Sequence, residues 1–91
     1  MQESWPVKFW EFKYCPPGDK VQLCWDEGTY LGQRENKKYD IFLYDYRGLY
    51  FIELYGFKNS DRISHATALR TLTSRKLEKY AQLISISDLW M

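Results

Sequence analysis

Residues 39–57, YDIFLYDYRGLYFIELYGF, decide the fold. They hold two runs rich in aromatic and aliphatic residues, roughly 39–45 and 49–56, joined through Tyr46-Arg47-Gly48. Such runs favour strands, and glycine at the third loop position fits a type I turn with a bulge. Folding back about that loop is expected to set Phe42 opposite Ile52 and Tyr44 opposite Tyr50 on one face. The other face then pairs Leu43 with Phe51 and Ile41 with Glu53. Both faces are apolar, whereas a sheet with one wet face alternates. These strands are therefore expected to be central, with one face on helices. The second face needs another cover: a curled sheet, another subunit or a ligand.

Upstream, residues 7–15 alternate so that Trp10, Phe12 and Tyr14 share a face. Pro16-Pro17-Gly18-Asp19 reads as a turn, with proline fixing one φ and glycine supplying a positive one. Residues 20–26 alternate again through Val21, Leu23 and Trp25. A first hairpin is expected, pairing Tyr14 with Val21, Phe12 with Leu23 and Trp10 with Trp25. Residues 29–34 read as a short third strand in which Gly32 suggests a bulge or a close approach. Glu35-Asn36-Lys37-Lys38 reads as a polar turn.

Downstream, Ser60 is the expected N-cap of a helix carrying Ala66, Leu69 and Leu72 as its stripe. A break near Thr73-Ser74 keeps Lys76 off the apolar face. A second helix follows, with Leu77, Tyr80, Ala81 and Ile84 as its stripe. Residues 83–87 fit helix or strand, and the tail is expected to dock through Ile86, Leu89 and Trp90. The expected fold is α+β: a meander of four to five antiparallel strands, then two short C-terminal helices packed on one face. A small SH3-like barrel with a helical appendage is the alternative.

Composition sets the outer bounds. The 91 residues suit one domain, since a second core would leave each half too little apolar surface to bury. At 45% hydrophobic and 27% charged, the chain is too apolar for disorder and too charged for a membrane protein. Its aromatic fraction is high, with 8 Tyr, 5 Phe and 4 Trp. Fifteen of these precede residue 58, which marks the change from strand-like to helix-like sequence. Net charge is +1, which excludes a strongly basic nucleic-acid binder. Residues 1–57 carry −2 and residues 58–91 carry +3. Met1 to Pro6 has neither a basic nor an apolar signal region, so cytoplasmic residence is expected. No run reaches transmembrane length.

Two cysteines and one histidine cannot fill a four-ligand zinc site, so no metal and no cofactor is expected. Cys15 and Cys24 do not oppose each other in the expected hairpin and are expected to stay reduced. His65 is expected on a helix surface with its neighbour Ser64 pointing in another direction, and Cys24 sits in no cysteine-enzyme signature. Among the carboxylates Asp26, Glu27, Asp40, Asp45 and Glu53, Glu53 stands out within an apolar strand. Such a group on a half-buried face is expected to have a basic partner or a raised pKa. No enzyme is expected.

Three functions fit. The first is a protein-interaction module, a homodimer or a binder of another protein, using the hairpin residues Tyr44, Tyr46, Arg47, Tyr50 and Glu53. The second is nucleic-acid binding, in which sheet aromatics stack on bases and the basic tail (Arg70, Ser74, Arg75, Lys76 and Lys79) meets phosphate. The RNA-recognition signature is absent, since Arg47-Gly48 is followed by Leu49. The third is a small-molecule pocket between sheet and helices, anchored by Glu53 or Arg47.

Overall fold

The aromatic run at 39–57 does form a hairpin. A computed structural model describes residues 6–80. The chain opens with a 3-10 helix, Phe9–Tyr14, and α1, Pro17–Glu27. Four strands follow: β1 (Gly28–Glu35), β2 (Tyr39–Tyr46), β3 (Tyr50–Phe57) and β4 (Ile63–Leu69). Helix α2, Ser74–Tyr80, comes next. The strands form one antiparallel meander in the order β1-β2-β3-β4. The fold is α+β, and the sheet is not closed into a barrel.

The central hairpin keeps its expected faces but not its expected register. Tyr46 opposes Tyr50, Tyr44 opposes Ile52 and Phe42 opposes Leu54. Leu43 opposes Glu53, and Ile41 opposes Tyr55. The turn explains the shift. Arg47 and Gly48 both take positive φ, 54° and 73°, and the Leu49 N–H donates to the Tyr46 carbonyl at 2.9 Å. That leaves Tyr46 free to join the ladder. Each partner moves by two residues, so no side chain changes face.

The expected first hairpin is replaced by helices. Pro17 occupies the first turn of α1, where a missing N–H costs nothing. Val21 and Cys24 then share its inner face, and Trp25 turns outward. In the 3-10 helix the spacing of three puts Phe9 and Phe12 together against the sheet, leaving Trp10 and Tyr14 exposed. Over seven residues, a period of two and a period of 3.6 fit the same apolar positions.

Residues 60–72, expected as a helix, instead hold β4. Ala66 opposes Leu54 and Ala68 opposes Ile52 on one face, while Leu69 opposes Phe51 on the other, so the strand splits the apparent helical stripe between its two faces. Ser60 Oγ accepts the Arg62 N–H at 3.0 Å within the connecting turn. The break at Thr73-Ser74 is as expected: α2 starts at Ser74, and Thr73 Oγ1 accepts the Lys76 N–H at 3.1 Å. Of the two readings at Gly32 the bulge is the one present, one residue earlier: Tyr30 pairs with Tyr44 and Gly32 with Leu43, leaving Leu31 as the extra residue. The expected tail docking lies outside the described residues.

Each sheet face has its own core. On one, Tyr46, Tyr50, Ile52 and Leu54 pack with Phe12 and Cys24. On the other, Leu43 and Leu31 pack with Tyr80, flanked by Phe51 and Leu72. Ile52 and Leu54 are fully buried, each contributing about 1.5–3 kcal/mol. The tyrosine pair also ties down the chain before the 3-10 helix. The Val7 N–H donates to Tyr46 Oη at 3.0 Å, and Tyr50 Oη donates to the Val7 carbonyl at 2.6 Å. No helix among the described residues is long and apolar enough to cross a membrane.

Candidate functional site

Glu53 is fully buried, and its carboxylate is saturated. Oε1 accepts from Tyr55 Oη at 3.1 Å and Lys76 Nζ at 3.3 Å. Oε2 accepts from Tyr80 Oη at 2.5 Å and Arg34 Nη2 at 3.2 Å. Burial pushes its pKa up, but the Tyr80 hydroxyl, Lys76 and Arg34 together hold it below the usual carboxylate range. Burial, and then the bond to Glu53, raise the Tyr80 phenol in turn. A carboxylate with four donors has no free lone pair for a ligand or a substrate proton. This cluster pins α2 to the sheet.

Of the hairpin residues expected at an interface, Tyr46 and Tyr50 are core and Glu53 is the buried anchor. They present no surface, because the 3-10 helix and α1 cover one face and α2 packs on the other. Tyr44 is half-buried and Arg47 is exposed at the hairpin tip. The basic residues do not gather. Arg70 lays its guanidinium 4.5 Å from the centre of the Phe9 ring, and Lys76 is bound to Glu53. Ser74, Arg75 and Lys79 are exposed on α2.

Two aromatic groups reach the surface. The first lies where α1 runs into β1. Tyr30 and Tyr44 meet edge to face with centroids 5.7 Å apart. Burial raises the Tyr44 phenol first, then Cys24 and Tyr30, with Trp25 pulling the other way. Trp25 is 63% exposed and Tyr30 is 51% exposed. Arg47 reaches back from the hairpin tip to Glu27 at 3.2 Å, and Leu49 on that tip is exposed. No known protein family, curated protein or solved structure matches the chain.

The second group lies on the α2 side of the sheet. His65 stacks on Tyr55 with centroids 4.3 Å apart and planes at 13°. Tyr39 meets both rings edge-on, and Phe57 leans on Tyr39. Contrary to the helix expectation, His65 lies on β4 and its Nδ1 is 2.9 Å from Ser64 Oγ.

Neither Cys15 nor Cys24 is in a disulfide. Cys24 is buried, and burial pushes its thiol up to about 12. Among the described residues no three His, Cys, Asp or Glu side chains gather as a metal site. Sequence reasoning missed Trp25 and Tyr30, because the strand reading turned Trp25 inward. It missed Phe57 and His65 because the β3–β4 pairing was not foreseen.

Proposed function

We propose that this chain is a non-enzymatic protein-interaction module that self-associates through the aromatic surface at the α1–β1 junction. One observation carries the reading: Trp25 and Tyr30 expose more than half of their area beside Tyr44, while Tyr46 and Tyr50 of the hairpin are buried. Exposed tryptophan and tyrosine are the side chains that most often anchor interfaces. A second copy suits this surface for two reasons. The adjacent Glu27 and Arg47 are opposite in charge and solvent-facing, so a two-fold axis can exchange their partners. With a net charge of +1, two copies repel weakly. The bulge at Leu31 interrupts the β1 edge, which favours side-chain packing over strand addition. The reading carries a cytoplasmic location, in keeping with two unpaired cysteines.

Light scattering on a size-exclusion column tests it. The wild-type chain is expected at twice the chain mass. Trp25→Ser with Tyr30→Ser is expected at the chain mass with an unchanged circular dichroism spectrum. A wild-type monomer at about 1 mM would remove the proposal.

Nucleic-acid binding is the second reading, favoured by the Tyr39, Tyr55, Phe57 and His65 rings on the face that also carries α2. Bases stack on such rings, and Arg75 and Lys79 supply exposed cations. It predicts salt-dependent binding of a single-stranded oligonucleotide, lost in Tyr39→Ala with Phe57→Ala.

A further inference from the structure

We propose that the outer edge of β4, with the groove beside it, takes an extended peptide bearing a large apolar side chain next to acidic residues. This site lies away from the α1–β1 surface and does not depend on it. β4 is an edge strand, and among the described residues no strand pairs with its outer side. A groove of about 380 Å³ runs between it and the 3-10 helix. Phe9, Trp10 and Phe12 form one wall, and Ala66, Thr67 and Ala68 form the other.

That second wall is informative. Side chains alternate across a strand, so Ala66 and Ala68 share the face toward Phe12, and Thr67 between them brings the strand's backbone into the same wall. Edge backbone groups offer a ladder to an incoming strand, and a neighbouring pocket takes every second side chain. Ala66 and Ala68 are small, leaving room for a large side chain against Phe9 and Phe12. Trp10 is 59% exposed at the rim.

Charge narrows the occupant. Lys13 lines the groove, and Arg70 follows directly after β4 with its guanidinium over Phe9. Among the described residues no carboxylate lines the groove. Glu11, on the same helix, is turned back to the Lys8 N–H at 3.0 Å. An acidic peptide therefore meets two cations and no opposing charge.

The test is a nuclear magnetic resonance titration of the ¹⁵N-labelled chain. The probes are blocked seven-residue peptides of alternating glutamate and valine around a central leucine, phenylalanine or tryptophan. Saturable binding is expected, with shifts at the amides of Phe9–Lys13 and Ala66–Ala68 and slower hydrogen exchange along β4. Replacing the glutamates by lysines is expected to weaken binding about tenfold or more. Lys13→Glu with Arg70→Glu should reverse that preference. Methylating alternate peptide nitrogens should abolish binding. No saturable binding of any probe at about 1 mM would overturn the proposal. So would undiminished binding of the methylated probe, shifts confined to other elements, or displacement of the probe by a single-stranded oligonucleotide.

Discussion

The hydroxyl of Tyr80 donates a 2.5 Å hydrogen bond to Oε2 of Glu53, 27 residues earlier in the chain. Both side chains are fully buried. This bond joins the last described helix to the centre of the sheet. Removing the carboxylate leaves Arg34 and Lys76 without their counter-charge. Glu53→Ala is expected to cost about 3–5 kcal/mol in urea denaturation. Tyr80→Phe removes one hydrogen bond to a charge and is expected to cost about 1.5–3 kcal/mol. A loss under 0.5 kcal/mol in both would show that α2 is held by other contacts.

The same cluster sets the acid limb of stability. The folded pKa of Glu53 lies below its unfolded value of about 4.3. Its contribution is therefore present above that value and lost as pH falls through the folded pKa. Wild-type stability is expected to drop below about pH 4, and Glu53→Gln is expected to flatten that drop. Denaturant melts between pH 2 and 7 check it, with an unchanged acid limb in Glu53→Gln as the contrary result.

The two thiols are expected to separate cleanly. Cys24 is buried in the core, and its thiol is raised to about 12, so little thiolate forms near neutrality. Cys15 is half-buried. At pH 8 a thiol reagent should label Cys15 alone in the native chain, and both after unfolding. Mass spectrometry of the labelled chain reads this directly, and rapid native labelling of Cys24 would contradict the packing.

Gly28 sits where α1 ends and β1 begins. A Cβ there would come within 2.7 Å of the Cys24 carbonyl oxygen and 3.2 Å of the Tyr44 ring. The backbone oxygen cannot swing aside, so Gly28→Ala is expected to cost about 1–3 kcal/mol. Gly18→Ala, with open space around it, is the control and should not destabilise. Thermal melts of both variants decide it.

The hairpin at 39–57 was legible because β-branched and aromatic residues on both faces leave one local solution. Its register was not, since a positive φ at Arg47 is not what a non-glycine residue advertises. The N-terminal segment misled because Pro16-Pro17-Gly18 serves a hairpin turn and a helix start equally well. The β4 segment misled because Ala66, Leu69 and Leu72 keep helical spacing, while the pairing that makes 63–69 a strand lies in β3. Glu53 was visible as an anomaly, but its partners Arg34, Lys76 and Tyr80 come from two other elements. The exposed ring of Trp25 followed from the helix and so was hidden with it.

Isotope-filtered nuclear Overhauser spectroscopy on a mixture of labelled and unlabelled chains bears most directly on self-association. Cross-peaks between copies are predicted from the Tyr30 ring and the Trp25 indole, and from no ring in the sealed core. A spectrum free of inter-copy peaks at millimolar concentration, or one whose peaks arise only from Tyr39, Tyr55 and Phe57, would contradict it.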